Sequence, residues 1–400
     1  MRSTHLHGAC LATHQQVRRA DLRIAAGRFT DRPADETDLN LDLAGHVIYP
    51  GFVNGHDHLQ LNNVPALPQS GVFANSYAWA QAFQRHFGDA AVAAALAVDP
   101  ATRFRHGALK NLLSGATTVA HHDPLLLDPG VGDFPVRLLR DFGWSHSLGL
   151  GAADADHPKL ARYGPPVLPS FASTPSDRPW MLHLAEGTDP GARAELTQLE
   201  AMGCLAANTV LIHGVGMSDA QVRRVIEVGA GVVWCPSSNL QLLGETLDPR
   251  RLFTAGRLAL GTDSRLTGSR DLLSELRVAA EHSDLSPREL LQLVTCMGSG
   301  VLGMDGLGGL ECGQAADLVL VRDRGDDPYR HLLQIERSDL RAVVRDGRPM
   351  ITDPDFAGWF SALGIDAIKI TLDGRPKLLA SSLGSGTELE PGITRQRPNE

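Results

Sequence analysis

Short stretches of alternating apolar and polar residues mark both ends of the chain. Alternation of this kind predicts β-strands separated by turns. The segments are residues 10–12, 21–24, 39–43, 316–321 and 340–344. The last is followed by Asp346 and Gly347, a pair that favours a hairpin turn. Because the two ends share this β character, we expect residues 1–50 and 306–352 to form one small β domain.

Between these ends, strand-like and helix-like patterns alternate. The predicted strands are an apolar run over 47–53 and residues 116–120, 144–150, 179–185, 209–213, 231–235 and 257–262. The predicted helices are residues 77–86, 90–113, 191–201, 218–229, 270–281 and 286–302, with the end of another at 137–141. Such alternation is typical of parallel βαβ units, most simply a (β/α)8 TIM-like barrel over residues 51–305. A doubly wound open sheet is the alternative, but no Gly-x-Gly-x-x-Gly follows an early strand.

Three segments do not fit a regular barrel. Residues 62–76 are rich in Pro and Asn and are expected to form a loop. Residues 151–179 are short and irregular where a barrel strand should lie, which leaves open a barrel that is distorted there. Residues 353–400 form a C-terminal extension with an amphipathic patch around 356–370, and its end, 381–400, has the composition of a flexible polar tail.

Composition narrows the classes of partner. The chain has 400 residues, of which 43% are hydrophobic and 21% charged, and its net charge is −9. Net negative charge argues against nucleic acid or an anionic membrane as the main partner. We find no apolar run long enough to span a bilayer, and the first ten residues lack a signal-peptide core. The 5 cysteines are widely spaced, which favours reduced thiols in the cytoplasm.

Candidate chemistry lies where predicted strands end. His56 and His58 follow the apolar run, and residues two apart on a strand point to the same side. His183, His213 and Asp263 each close a later strand. Taken singly, each histidine could be an ordinary structural residue, and Asp263 could cap a turn. In a barrel, however, the carboxyl ends of the strands gather on one face, which brings all five residues together.

The motifs around these residues resemble those of the amidohydrolase superfamily, most closely its cytosine deaminase-like and chlorohydrolase-like branch. The motifs are residues 50–58 (Pro-Gly-Phe-Val-Asn-Gly-His-Asp-His), 183–186 (His-Leu-Ala-Glu), 213–214 (His-Gly), 235–239 (Cys-Pro-Ser-Ser-Asn), 261–264 (Gly-Thr-Asp-Ser) and 313–320 (Gly-Gln-Ala-Ala-Asp-Leu-Val-Leu). The last of them resembles the return of that branch to its β-sandwich domain. The resemblance implies a barrel enzyme with a metal ion held by His56, His58, His183 and Asp263. It also implies Glu186 and His213 as catalytic groups.

The residue types agree with this metal chemistry. Three imidazoles and one carboxylate suit Zn²⁺, with Fe²⁺ as the alternative. A second metal usually requires a bridging carboxylated lysine, and Lys110 and Lys159, the only lysines before His183, are on no convincing strand. We therefore expect one metal ion per chain. In this arrangement Asp263 would take a proton from the attacking water, and Glu186 would protonate a ring nitrogen or leaving group.

Position alone suggests further contacts with substrate. These weaker candidates are Gln60, Trp79, His122, Asn239 and Arg265. His122 could equally pack behind the site. Arg265 hints at an anionic or carbonyl-bearing substrate, although a solvated salt bridge is the alternative.

The sequence thus predicts a mononuclear metal-dependent hydrolase that acts on C–N bonds other than peptide bonds. The leading form is hydrolytic deamination of an N-heterocyclic amine, with a small molecule as the substrate and neither nucleic acid nor a membrane as a partner. Hydrolysis of a cyclic amide or loss of another leaving group is the alternative within the fold, and a catalytically silent binding or scaffold barrel is the alternative outside it. Motifs of the other zinc deaminase fold, of zincins, of P-loops and of α/β-hydrolases are absent from the sequence. Barrels of this kind often pair, so a homodimer is left open.

Overall fold

The structure, a computed structural model, describes residues 2–68, 71–125, 134–148 and 164–395. Part of the irregular segment predicted at 151–179 therefore lies outside the described residues. Its remainder contains a short helix, Val167–Ser173. Within the described ranges, no helix is both long and apolar enough to cross a lipid bilayer.

Seven short strands form the amino-terminal region. They are β1 Thr4–His7, β2 Cys10–Ala12, β3 Val17–Arg19, β4 Leu22–Ala25, β5 Arg28–Thr30, β6 Leu39–Asp42 and β7 His46–Pro50. Strands β5, β4, β1 and β6 make one four-stranded sheet, in that order. In β1 and β4 alternate residues are buried, which is the pattern expected of a sheet that is covered on one face.

Eight further strands, among the described residues, run parallel to their neighbours. They are β8 Phe52–Asn54, β9 Ala116–Val119, β10 Arg137–Leu138, β11 Gly143–Ser147, β12 Trp180–Leu184, β13 Thr209–His213, β14 Gly231–Trp234 and β15 Leu258–Leu260. They form a three-stranded sheet (β10-β9-β8) and a five-stranded sheet (β11-β12-β13-β14-β15). The backbone N–H of Gly55, just after β8, donates to the carbonyl of Leu260 in β15 at 2.8 Å. The first and last of these strands are therefore neighbours.

Both faces of these strands are covered. Side chains of one face, such as Val53, Val210 and Val233, pack together in one buried cluster. Those of the other face, such as Leu182 and Leu211, belong to a larger cluster that includes the surrounding helices. All residues of β12 to β15 are buried, as expected where helices cover a parallel sheet.

The helices follow the strands along the chain. They are α1 Ser76–Arg85, α2 Ala90–Ala97, α3 Pro100–Leu113, α4 Val167–Ser173, α5 Pro190–Ala201, α6 Asp219–Val228, α7 Pro236–Leu243, α8 Arg250–Thr254, α9 Leu272–Glu281, α10 Pro287–Leu293, α11 Cys296–Val301, α12 Pro328–Leu332 and α13 Ala357–Ala362. Helix α6 shows the signals that made it predictable. Ser218 and Gln221 form a capping box at its start, and Gly229 ends it with a φ of 81°.

Three helix predictions were wrong in detail. The helix expected over 90–113 is two helices, because the Asp99 side chain caps a new start at Pro100, whose ring has no N–H to continue the previous one. The helix expected over 286–302 breaks at Val294, whose carbonyl accepts a hydrogen bond from Val53 of β8 instead. Residues 137–141, expected to end a helix, contain strand β10.

The C-terminal part of the chain completes the largest sheet. Its strands are β16 Leu318–Arg322, β17 Ala342–Arg345, β18 Arg348–Thr352, β19 Ala367–Leu372, β20 Arg375–Ala380 and β21 Ile393–Arg395. This nine-stranded sheet has the order β21-β19-β20-β18-β17-β16-β7-β2-β3. Pairing between the two chain ends is thus confirmed, since β16 lies antiparallel to β7. The predicted hairpin turn joins β17 to β18, with Asp346 and Gly347 at φ values of 50° and 72°.

The prediction of a flexible tail over 381–400 was wrong for its described part, residues 381–395. This segment includes β21, and it places Glu390 in the interior. The Glu390 carboxylate accepts hydrogen bonds from His106, Arg265 and Arg337. A polar composition did not indicate disorder here, because Arg265 and the buried Arg337 pair with this carboxylate.

Candidate metal centre and cavity

The carboxyl ends of the parallel strands bring the predicted metal ligands together. His56 and His58 follow β8, His183 lies near the end of β12, His213 ends β13 and Asp263 follows β15. His213 and Asp263 have φ values of 75° and 54°. The left-handed region is unfavourable for residues with a Cβ, and such strain is typical of functional sites.

The ligand atoms lie at the separations that a small cation requires. His58 Nε2 is 3.3 Å from His183 Nε2 and 3.6 Å from Asp263 Oδ1. His56 Nε2 lies 3.7 Å from the same carboxylate oxygen. Tetrahedral zinc with bonds of about 2.0–2.1 Å to nitrogen and oxygen needs ligand–ligand separations of roughly 3.3 Å. The four predicted ligands therefore fit one zinc ion after small adjustments.

Hydrogen bonds to the outer ring nitrogens orient three of the imidazoles. His58 Nδ1 lies 2.5 Å from Asp123 Oδ2, and His183 Nδ1 lies 2.9 Å from the His146 carbonyl oxygen. His213 Nδ1 lies 2.8 Å from Asn239 Oδ1. With protons on these Nδ1 atoms, each Nε2 lone pair is free to face the centre.

Electrostatics favour the protonation states of a metal site. Burial holds the pKa of His56 well below its ordinary value and lowers that of His183 to about 4, so both rings are neutral. Burial would raise the pKa of Asp263, but the neighbouring His56 and His58 outweigh it and hold that pKa well below the usual range. His58 differs, because the Asp123 carboxylate outweighs its burial and raises its pKa to about 9. A cation that binds here must therefore displace a proton from His58.

Unsatisfied buried nitrogens are independent support for a metal. Both ring nitrogens of His56 and the Nε2 of His213 have no hydrogen-bond partner within the described residues. Leaving a buried polar atom unpaired costs about 1–3 kcal/mol. A cation would use the Nε2 lone pair of His56, so the residues present fit the group.

A second buried network lies beneath the ligands. Asp57, between the two ligand histidines, accepts a hydrogen bond from Lys110 Nζ at 2.9 Å and from Asn111 Nδ2 at 2.7 Å. Thr262 donates to the same carboxylate at 3.1 Å, and Asn54 donates to Thr262 at 2.8 Å. Lys110 is thus engaged with Asp57 from helix α3 rather than available as a bridging ligand. Lys159 lies outside the described residues.

Glu186 lies beside this centre. Its side chain is 11% exposed, and its Oε1 is 3.5 Å from His213 Nε2. Burial raises the pKa of Glu186 to about 7, which suits a group that must donate a proton at neutral pH. Glu195 supports the turn that carries it, since its carboxylate accepts from the backbone N–H of Ala185 and the hydroxyl of Tyr77, both at 2.6 Å.

The centre opens into a cavity of about 310 Å³. Its polar end is formed by the predicted metal and catalytic residues. Its walls are largely apolar and include Leu61, Trp79, Phe83, Phe87 and Leu242. Of the weaker predicted substrate contacts, Trp79 lies on this wall.

The other four weak candidates lie behind the wall. Gln60 donates to Asp123 at 2.8 Å, and His122 Nε2 is 3.2 Å from His183 Nδ1. Asn239 is engaged with His213. Arg265 points to Glu390, to which it donates at 2.8 and 2.9 Å. Arg265 thus forms a buried ion pair instead of facing an anionic substrate. Its partner, Glu390, belongs to the segment that was predicted to be a flexible tail.

Two residues of the site were missed. Asp123 orients His58, and His146 lines the cavity with its ring centroid 4.5 Å from that of His183. Both follow the rule that found the ligands, since each lies at or just past the end of a parallel strand, β11 for His146 and β9 for Asp123. Applied to every strand, that rule would have identified them.

Comparison with known proteins agrees with this architecture. A profile described as the amidohydrolase family matches residues 177–362. A 5-methylthioadenosine/S-adenosylhomocysteine deaminase of Haloarcula marismortui is 28% identical over 182 residues, 41% of this chain and 42% of the relative. One of the same name from Halobacterium salinarum is 26% identical over 381 residues, 81% of this chain and 85% of the relative. The chain thus spans under half of the first relative and most of the second.

A solved structure shows the same fold over nearly the whole chain. The zinc complex of the atrazine chlorohydrolase from Arthrobacter aurescens TC1 superposes with a TM-score of 0.69 and 20% identity, covering 87% of this chain and 95% of the other. The family profile and the deaminase-named relatives support a place in the amidohydrolase superfamily, in its deaminase-like and chlorohydrolase-like branch, and the solved structure shows that the fold is shared.

Proposed function

We propose that this protein is a mononuclear zinc hydrolase that deaminates an N-heterocyclic amine, built on a closed (β/α)8 barrel with a β-sandwich domain. The observation that carries the proposal is the convergence of His56, His58, His183 and Asp263, with three pairs of their ligand atoms 3.3–3.7 Å apart, beside Glu186, whose pKa burial raises to about 7. The link between Gly55 and Leu260 supports closure of the barrel. The division into domains at residues 50, 305 and 352, a homodimer and a cytoplasmic location stay predictions.

His56, His58, His183 and Asp263 would hold the ion. When bound, zinc supplies a Lewis acid that lowers the pKa of a coordinated water from about 15.7 toward 7. Asp263 is also positioned to accept a proton. Ser238 and Thr267 donate to its Oδ2 at 2.7 and 2.9 Å, which fixes Oδ1 toward the histidines, where it can accept a proton from water.

Glu186 and His213 act on the substrate side. Glu186 would donate its proton to a ring nitrogen of the heterocycle, which makes the adjacent carbon more electrophilic. His213, whose Nδ1–H is held by Asn239, would accept a hydrogen bond at Nε2 from the attacking water and so orient it toward this carbon. Collapse of the adduct would then release ammonia: the proton held by Asp263 completes the leaving amine, and the hydroxyl group left on the carbon returns a proton to Glu186 as the carbonyl forms.

Named relatives favour deamination over the alternatives. The two relatives above carry the name of a deaminase, and the fold is shared with a chlorohydrolase. Loss of a chloride or other leaving group from the same kind of ring is therefore the second candidate. A scaffold without activity has no need of strained ligand residues and a protonated buried carboxyl group.

Metal content and ammonia release test the proposal together. The purified chain is analysed for zinc and iron and then screened with aminated purines, pyrimidines, pterins and triazines. We expect about one zinc per chain and ammonia from at least one compound. Absence of metal would favour the scaffold, whereas release of chloride without ammonia would favour the second candidate.

Glu186→Gln separates binding from chemistry. The variant should keep its metal, because Glu186 is not a predicted ligand, and should lose about 10²–10⁴-fold in kcat. Glu281→Gln, an exposed carboxylate at the end of α9, is the matched control. Unchanged turnover in Glu186→Gln would remove Glu186 from the mechanism.

A further inference from the structure

One face of helix α1 lines the cavity along its whole length. Ser76, Trp79, Ala80, Phe83 and Gln84 of α1 border the cavity, each three or four residues from another of the set, and Phe87 borders it two residues past the end of the helix. Residues at this spacing share one face of a helix. The backbone N–H of Ser76 donates to the carbonyl of Glu186 at 2.9 Å, so the helix starts at the catalytic centre and leads away from it.

The aromatic residues of this face form a continuous strip. The Trp79 and Phe83 rings are stacked with centroids 5.5 Å apart and planes at 10°, and Phe83 meets Phe87 edge to face at 5.0 Å. Phe87, at the outer end, is 43% exposed. We call Trp79, Phe83 and Phe87 the aromatic strip. Leu61 and Leu242 also line the cavity and add apolar surface to it.

Where the structure describes it, the cavity wall away from the metal centre offers no positive charge to a substrate. Among the described residues that line it, none is a lysine or an arginine, whereas Glu186 and Asp263 are carboxyl groups. Arg265, close in sequence to Asp263, is bound to Glu390. A carboxylate on the substrate would therefore lose its hydration here without meeting a cation, which is costly.

We propose that the aromatic strip binds an uncharged, apolar or aromatic substituent carried by the heterocycle, and that the cavity rejects substituents with a carboxylate. The substrate class is thus a heterocyclic amine with a neutral apolar side group. This inference rests on the proposed function for the orientation of the ring, with its amine at the metal end and its substituent along α1.

Two adenine compounds that differ in this respect provide the test. 5′-Methylthioadenosine carries a short apolar group, whereas S-adenosylhomocysteine carries an amino acid with a carboxylate. We expect kcat/KM to be at least about 10-fold higher for the first, since an unpaired buried charge outweighs the apolar part of the longer tail. Binding of the deaminated products, methylthioinosine and S-inosylhomocysteine, is measured by calorimetry in parallel and should show the same preference without requiring turnover.

Variants of the strip identify its contribution. Phe83→Ala should raise KM for methylthioadenosine, and Kd for methylthioinosine, by about 5- to 30-fold, because it removes a contact surface of aromatic size. Phe83→Leu should recover most of the affinity. Gln81→Ala, on α1 but off the cavity face, is the matched control. Phe87→Arg should shift the preference toward S-adenosylhomocysteine by supplying a cation.

The outcomes separate this inference from the proposed function. Ammonia release with an equal or higher kcat/KM for S-adenosylhomocysteine would overturn the role proposed for the aromatic strip, but it would still support deamination. Methylthioinosine could bind more tightly than S-inosylhomocysteine, and Phe83→Ala could abolish this preference, while no compound releases ammonia. That result would support the role proposed for the aromatic strip and overturn deamination. Failure of both inosine compounds to bind, or binding unaffected by Phe83→Ala, would overturn the inference.

Discussion

The two ends of the cavity are built in opposite ways. The inner end, which we call the floor, is the metal centre of His56, His58, His183 and Asp263, of which all but His56 border the cavity. The side chains of His56, Asp263 and His58 are only 0%, 7% and 13% exposed. The aromatic strip at the outer end is partly open to solvent. Floor residues are fixed by hydrogen bonds and charges, whereas the strip is fixed by ring stacking and apolar packing.

This difference corresponds to two demands on an enzyme. Reacting atoms must be held to within a fraction of an ångström, and directional hydrogen bonds achieve this at the expense of buried charge and backbone strain. Contacts with a substituent tolerate looser geometry, because burial of apolar surface has no preferred direction. Substitutions at the floor should therefore affect folding and metal binding, and those in the strip should affect substrate preference.

The largest effect on stability is expected from Lys110→Met. It leaves the fully buried Asp57 carboxylate without its cation and should lower the free energy of unfolding by about 3–5 kcal/mol. Denaturant unfolding measures it. The double variant Asp57→Asn with Lys110→Met should recover most of that loss, since no unpaired charge remains. An equal loss in both would show that the pair contributes packing rather than charge.

Glu195 connects the floor to the strip, because it binds Ala185 after β12 and Tyr77 in α1. Burial raises its pKa to about 7, so the folded state binds this proton more tightly than the unfolded chain does. The free energy of unfolding should then fall as pH rises from about 4.5 to about 7, by up to about 3 kcal/mol for this group.

Glu195→Gln should flatten that pH dependence, because the amide cannot lose a proton and still offers an acceptor to Ala185. Unfolding experiments at pH 5, 6, 7 and 8 compare the two proteins. Glu186 and Glu275, whose pKa values burial also raises to about 7, should leave a residual slope in the variant. Identical slopes for both proteins would contradict the role assigned to Glu195.

Asp123→Asn should weaken metal binding by about 10–100-fold while the chain stays folded. The carboxylate that orients His58 is replaced by a neutral acceptor, so the ring is a poorer ligand. Competition with a chelator measures the affinity. Asp305→Asn, an exposed site, is the control, and equal affinity in the two variants would exclude Asp123 as a positioning residue.

The smallest effect on stability is expected in the strip. Phe87→Ala removes a side chain that is 43% exposed, so the free energy of unfolding should change by less than about 1 kcal/mol. Metal content should be unchanged. A larger loss, comparable to that of Lys110→Met, would remove the distinction between floor and strip.

Local patterns predicted most of the parallel strands and the convergence of five polar residues at their carboxyl ends. These residues could be selected because each strand has a short apolar signature, and parallel strands must end on the same side. Breaks in helices were harder to predict. Val294 lies in an apolar, helix-like run. Its carbonyl accepts a hydrogen bond from Val53, which is too distant in sequence for the local pattern to indicate the break.

The surroundings of the site depended on distant partners. Arg265 suggested either an anionic substrate or a solvated salt bridge, and its partner Glu390 lies in a distant segment whose composition suggested disorder. Likewise, Lys110 showed no sign of its role, since α3 and Asp57 meet only in the folded chain. Ion pairs between remote elements leave no periodic signature.

The pairing of β7 with β16 has a consequence for synthesis on the ribosome. Leu318 of β16 faces Pro50, the last residue of β7, and the ligand histidines follow that strand closely. The strand that precedes His56 and His58 can therefore complete its pairing only after residue 322 has been synthesised. The ion pair of Arg265 forms later still, once Glu390 has been synthesised. Non-local pairings of this kind slow folding, and the early segments must stay unaggregated in the meantime. A chain released before Glu390 would carry its cations inside without their counter-charge.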